Sequence, residues 1–318
     1  MITYINGDLL FSPAKVLVNP VNLAGMMGKG LSGDFKRLYP EMAERYRELC
    51  ESGKFQQRQL YLYQTPHKWI LNFPVKTHWR SDITLDVLEA GLQKFAAIYA
   101  ERGITSISFP VLSEGTIALD WHDEVRPLMA SYLDALPLNV YIHVSPQDQP
   151  RNMRAISARL SNLPQDIPFE KFWRDLSRVV SSVTRFTTED GIDFEVVPER
   201  KRSNSRNQSR SLTIERENES VYLSESLLSD LWISLCAAGY LLPDNLPGGL
   251  EQHADVLVTL LTRLDYIRPV ELGDSEEAMQ LGLHYQPPPR KPSVRSEVVR
   301  QMTEPPMIHA DEHDHDNE

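Results

Sequence analysis

Cysteine is scarce. The 318 residues hold two, Cys50 and Cys236, and neither has a CxxC or histidine-rich neighbourhood. That excludes a disulfide framework and a zinc site and leaves buried or free thiols. Long apolar runs are also missing: the longest uncharged stretch, near 231–242, is too short to span a bilayer. The first eight residues have no positive n-region and no apolar h-region, so a cytoplasmic location without a membrane partner is expected. Positive charge is outnumbered, with 33 Lys and Arg against 44 Asp and Glu, a net charge of -11. A sequence-blind grip on nucleic acid needs a basic surface, so only a local basic patch stays open. What is present, 41% hydrophobic and 24% charged residues, belongs to a globular chain long enough for two cores.

Short β-branched runs at 2–5, 15–19, 60–63, 69–73, 104–109 and 138–144 predict six strands. Leu85, Leu88, Leu92, Phe95, Ala96 and Tyr99 recur at helical spacing. They predict a helix that Ser81 or Asp82 caps and Gly103 closes in the left-handed region. A second helix is expected from Asp120, whose carboxylate can accept from first-turn amides, toward residue 136. Strands alternating with helices imply an α/β layer covered on both faces.

The turn-rich stretch after Val144 reads as the exit from a first domain over 1–146, with a linker over 147–165. A small α+β domain is expected over 166–285. It has a helix carrying Phe169, Phe172, Trp173, Leu176, Val179 and Val180, and strands at 184–188 and 192–197 split by Gly191. An exposed basic loop with Arg200, Lys201, Arg202, Arg206 and Arg210 follows, then strands at 212–214 and 221–223 and helices at 227–238, closed by Gly239, and 254–264. Residues 286–318 read as a disordered tail whose His309, His313 and His315 alternate with acids. A solvated tail is the expectation there, so neither metal nor cofactor is assigned.

Chemistry concentrates at Asn19, Asn22, Met27, Gly28, Lys29 and Gly30, after a strand and at the start of a helix. Glycines let the backbone approach a ligand, amides at a helix N-terminus favour anions, and the Asn22 carboxamide suits a sugar hydroxyl. A plain βα turn stays an equal alternative on spacing alone.

Four blocks carry a resemblance: Gly7-Asp8-Leu9, Asn19-x-Val21-Asn22, Met27-Gly28-Lys29-Gly30, and the run Asn72-Phe73-Pro74-Val75-Lys76-Thr77-His78-Trp79-Arg80. Over residues 1–146 the chain resembles the macrodomains, which bind ADP-ribose. Within them it is similar to the branch of DNA ADP-ribosyl glycohydrolase antitoxins of the DarG type and terminal ADP-ribose protein glycohydrolases. The resemblance implies a three-layer α/β/α fold on a mixed six-stranded sheet. It implies that Asp8, with Leu9, holds the adenine end, that Asn22 sits against the distal ribose, and that Gly28 to Gly30 frame it. Lys76 becomes the catalytic candidate with Asn22, since a lysine amine can form a Schiff-base-type adduct with an opened ribose. Arg80 or a partly dry cleft is expected to supply the free amine.

The chain departs from the family at Ser113, Glu114, Gly115, Thr116 and Ile117. One glycine survives there in a loop expected to cradle a diphosphate, and Glu114 brings a negative charge. Two functions follow. One is a glycohydrolase acting on ADP-ribosylated DNA or protein as an antitoxin or defence component. The other is a non-catalytic module that binds ADP-ribose or an NAD-derived nucleotide. Residues 166–285 are expected to meet a protein partner such as a toxin or defence component, or nucleic acid through the basic loop.

Overall fold

The computed structural model describes residues 2–113, 118–147, 150–198, 210–217, 219–290 and 307–308. They form a first unit over Met1–Leu163, to which the 307–308 segment belongs, and a second over Pro164–Arg290.

The first unit runs β1 (Ile2–Asn6), β2 (Val16–Asn22), α1 (Gly30–Leu38), α2 (Pro40–Glu51), β3 (Leu60–Gln64), β4 (Trp69–Lys76), α3 (Leu85–Ile98), β5 (Ser106–Pro110), α4 (Arg126–Leu133), β6 (Asn139–His143) and α5 (Met153–Ser161). Its strands lie in the order β1-β6-β5-β2-β4-β3, parallel except for the β3–β4 pair. This is the mixed six-stranded sheet that was expected, with helices on both faces. Side chains alternate across it. Leu17, Val21 and Ile70 face α1, α2 and α5, where Phe35, Met42, Tyr46, Ile156 and Leu160 are buried. On the opposite face Phe73 and Phe95 each pack edge-on against Phe109. Helix α3 crosses so closely that a Cβ at Gly91 would stand 2.4 Å from the Phe73 ring, so only glycine fits.

The local signals need three corrections. Helix α3 starts at Leu85 after Thr84, with no side-chain cap, so neither Ser81 nor Asp82 caps it. Asp120 does cap its helix, accepting from the Asp123 amide at 2.8 Å, but a π-helical turn over Trp121–Val125 precedes α4, which ends at Leu133 rather than near 136. The expected linker contains α5, whose Asn152 side chain caps it and whose Ile156 and Leu160 join the core.

The second unit carries α6 (Phe169–Ser182), β7 (Arg185–Thr187), β8 (Asp193–Pro198), β9 (Leu212–Arg216), β10 (Glu219–Leu223), α7 (Glu225–Ala238), β11 (Tyr240–Leu241), α8 (Ala254–Leu261), β12 (Ile267–Gly273) and β13 (Gln280–Tyr285). Strands β10-β9-β8-β7 form one antiparallel ladder and β11-β13-β12 another. Trp232 anchors the core, stacked 4.5 Å from Phe172 and donating to the Ile167 carbonyl at 3.0 Å. The last three strands have no counterpart in the sequence reading, because Pro269 and Gly282 interrupt their patterns. Gly282 is required there, since a Cβ would meet the Leu241 carbonyl oxygen at 2.5 Å.

Arg200, Lys201, Arg202 and Arg206 of the basic loop lie outside the described residues, while Arg210 is paired with Glu170 and Glu225. Of the tail, 286–290 and 307–308 are described. Met307–Ile308 (β14) is not the disordered segment expected there but pairs antiparallel with β3, and the histidine-rich end lies outside the described residues. Both cysteines are free. Among the described residues no helix is long and apolar enough to cross a membrane.

Candidate functional site

Strand β2 pairs with β5 only at Val16↔Ile107 and Leu17↔Ser108, but with β4 along its whole length. Pro20 has no N–H to offer a ladder. Beyond Leu17 the ladder between β2 and β5 stops, and an opening at the carboxyl ends of parallel strands is where such sheets bind ligands. The Asn22-to-Gly30 loop leaves one side of it and the segment after Pro110 the other.

A register shift after Val21 brings Asn22 opposite Lys76, and the Leu23 amide donates to the Lys76 carbonyl at 3.0 Å. The two candidate catalytic residues therefore stand side by side at the ends of adjacent strands. Their side chains differ in commitment. Asn22 is buried, its Nδ2 donating to the Met26 carbonyl at 2.7 Å and its Oδ1 accepting from the Ala24 amide at 3.0 Å, while its own carbonyl accepts from the Tyr46 hydroxyl. It holds the loop in shape. The Lys76 ammonium has no hydrogen-bond or ion-pair partner among the described residues. The expected help from Arg80 takes a different form, since its guanidinium lies over the Trp79 ring, 4.2 Å from the centroid.

The loop residues fall into two groups. Asn19 is fully buried, donating to Asn72 Oδ1 at 2.9 Å, and Met27 packs in the core. Both support the sheet instead of facing a ligand. Gly28, Lys29 and Gly30 stay open: a Cβ at Gly28 or Gly30 would meet nothing within 4 Å, and Lys29 is exposed. Helix α1 has no side-chain cap and no acid in its first turn, so its leading amides and the Lys29 charge present a positive end to an anion. Gly33 carries the close approach the sequence reading missed, because a Cβ there would sit 2.7 Å from the Gly28 carbonyl oxygen. Gly33→Ala is expected to displace the loop and weaken binding of an anionic ligand at this end of α1 about tenfold, a cost in the range of a small overpacking strain. Calorimetric titration, with a melting curve to confirm the fold, checks it.

Asp8 accepts from the Leu10 amide at 3.0 Å and from Arg151 Nε at 2.6 Å. The Arg151 side chain is almost wholly buried. It reaches Asp34 Oδ2 at 2.6 Å and the Gln147 carbonyl at 2.5 Å, so one guanidinium ties the turn after β1, α1 and the segment leading into α5 together. Gln147 Oε1 accepts from the Leu9 amide at 3.0 Å, so Leu9 has no amide to spare for a ligand while Gln147 stays in place. The Asp8 carboxylate keeps unused lone pairs. Neither Arg151 nor Gln147 was foreseen, because their partners lie 143 and 138 positions away in the chain.

Behind Asp8, the Gly7 carbonyl meets His143 Nδ1 at 2.9 Å and accepts from Ser145 Oγ at 2.9 Å. Burial lowers the His143 pKa to about 4, against smaller opposing effects of the Gly7 carbonyl and Asp8. Between about 4 and the ordinary 6.5 the unfolded chain binds a proton that the folded chain refuses, so folding stability is lost as pH falls across that window. The expected loss between pH 7 and pH 4.5 is about 2 kcal/mol. Urea unfolding at pH 7 and pH 4.5 measures it, and His143→Asn is expected to flatten the dependence.

Ser113 is buried after β5, while Gly115, Thr116 and Ile117, with Glu114, lie outside the described residues. At the other end of the strands Lys68 donates to the Ser12 carbonyl at 2.8 Å and to the Ala14 carbonyl. Burial, with Arg159 and Lys15 nearby, brings its pKa down to about 7.

Residues 18–128 match the family described as Macro domain. The chain is 39% identical over 136 residues to a DNA ADP-ribosyl glycohydrolase of Mycobacterium tuberculosis, covering 42% of this chain and 39% of that one. It is 33% identical over 156 residues to one of Thermus aquaticus, covering 48% and 43%. It is 29% identical over 162 residues to a DNA ADP-ribosyl transferase–DNA ADP-ribosyl glycohydrolase fusion protein of Thermosipho africanus, covering 45% and 42%. The chain thus spans less than half the length of the curated relatives it matches.

Proposed function

We propose that the Macro domain of this chain binds ADP-ribose and removes it from a modified macromolecule, with DNA as the foremost acceptor. The observation that carries this reading is the pairing of Asn22 with Lys76 at the opening between β2 and β5. The names of the relatives support DNA over protein as acceptor.

In the reaction proposed, Lys76 Nζ adds to the anomeric carbon of the distal ribose while the bond to the acceptor atom breaks. The acceptor leaves with the bonding electrons and takes up a proton, and water then releases ADP-ribose and regenerates the amine. Asn22 acts through the loop it closes: with residues 24–26 clamped, Gly28 to Gly30 and the open end of α1 offer backbone groups to the sugar. Asp8 takes the adenine amino group with its free lone pairs, and Ser113 to Ile117 flank the diphosphate. No metal or cofactor enters the scheme. The second unit is the proposed seat of a protein partner, such as a toxin or defence component in the cytoplasm, supported by the fusion of transferase and glycohydrolase in the Thermosipho relative.

The test uses the full chain with ADP-ribosylated single-stranded DNA and ADP-ribosylated protein, reading released ADP-ribose by chromatography, beside calorimetry with free ADP-ribose. Release from DNA is expected. Binding without release from either substrate would overturn the hydrolase and leave the non-catalytic module, which the altered 113–118 segment favours.

A further inference from the structure

Immediately after Lys76 the chain makes a turn whose outer surface is aromatic and cationic. Trp79 is 44% exposed, unusual for so large an apolar side chain. The His78 ring lies 5.4 Å from it at 34°, and the Arg80 guanidinium covers it at 4.2 Å. The turn is fixed before any ligand arrives. The Ser81 amide donates to the His78 carbonyl at 3.0 Å, and the Arg80 amide donates to His78 Nδ1 at 3.2 Å. On the neighbouring loop after β2, Met26 is 51% exposed.

Charge singles out the kind of ligand. In a chain of net charge -11, the described loops at the carboxyl ends of β2 and β4 carry Lys29, Lys76 and Arg80 against one acid, Asp82. An exposed ring with a stacked guanidinium, set in a positive rim, suits a nucleobase and its phosphates. Bases stack on aromatics whatever their identity, and the cations neutralise the backbone. A hydrophobic protein partner would gain nothing from those cations. Trp79 lies three residues past Lys76, so their Cα atoms are within about 11 Å, one or two nucleotides of a single strand.

We propose that the His78–Trp79–Arg80 turn is an acceptor-strand platform, on which the base next to the modified nucleotide stacks against Trp79 while Arg80 contacts a flanking phosphate. This rests on the reading of the site as acting on ADP-ribosylated DNA, and it assigns substrate recognition to residues separate from those that hold ADP-ribose.

The experiment compares the full chain with Trp79→Ala, Trp79→Phe and Arg80→Gln in three measurements: fluorescence anisotropy with an unmodified single-stranded oligonucleotide, calorimetry with free ADP-ribose, and release from an ADP-ribosylated oligonucleotide. Trp79→Ala is expected to weaken oligonucleotide binding and raise KM for the modified oligonucleotide about tenfold, with kcat and the Kd for ADP-ribose unchanged; Trp79→Phe should retain most of the affinity. Arg80→Gln should flatten the salt dependence of oligonucleotide binding. Unchanged oligonucleotide binding in Trp79→Ala overturns the platform. An equal loss of ADP-ribose affinity also overturns it and assigns Trp79 to the nucleotide pocket. The anisotropy arm needs no turnover, so absence of release by the unaltered chain would defeat the proposed reaction and still leave the platform to be judged by that arm.

Discussion

Lys76→Ala is expected to reduce release of ADP-ribose from modified DNA at least about 100-fold, the scale on which removal of a group acting directly on the reacting atoms is felt. The fold should not notice. The Lys76 ammonium forms no ion pair or hydrogen bond among the described residues, so its truncation strands no buried partner, and the melting temperature should stay within the narrow range of surface substitutions. Free ADP-ribose should bind within a few-fold of the unaltered chain, because in the proposed complex backbone groups of the 25–30 loop frame the sugar. Lys76→Arg separates charge from chemistry: it keeps a cation at the same place without an amine able to add to an anomeric carbon, and should be as inactive as alanine. Activity retained in the arginine variant would reduce the role of residue 76 to electrostatics.

The largest effect on stability is expected from Arg151→Met. It keeps most of the apolar volume but leaves the Asp34 carboxylate, 6% exposed, with only the exposed Arg37 guanidinium on its other oxygen, and frees Asp8 and the Gln147 carbonyl. Breaking one side of a buried ion pair costs about 3–5 kcal/mol. For a unit of this size that lowers the melting temperature by about 8–15 °C. Asp34→Asn in the same chain should restore part of the loss, because the buried charge then left to Arg37 alone goes with it; a thermal denaturation series on the four forms gives the coupling. A fall of less than about 1 kcal/mol would mean that water already serves the two acids.

The six strands were legible because β-branched and aromatic residues cluster over five to eight positions, and α3 because its apolar spacing is regular. What escaped was non-local or concealed in a residue read for another purpose. Helix α5 presents few apolar residues, chiefly Ile156 and Leu160, between Pro150 and Pro164, so its pattern is too sparse to outweigh the turn signals around it. Asn19 and Met27 sit in a motif rich in candidate ligand groups, yet strand alternation sends the first into the sheet and loop closure sends the second into the core. Gly28 and Gly30 drew the eye as glycines beside a helix, but Gly33, one turn further on, is the position where a methyl group has no room. Asn22 and Lys76 were legible as residue types; that a one-residue register shift places them opposite each other was not.

That β2 and β5 share a ladder for two residues and then part leaves main-chain groups along both borders with nothing in the sheet to satisfy them. Such groups must be hydrated or bound to something else. A guest rich in hydroxyls and phosphate oxygens can replace that water group for group, so part of the attraction of this unzipped seam for a polar guest comes from the backbone itself and would persist through most side-chain substitutions around it.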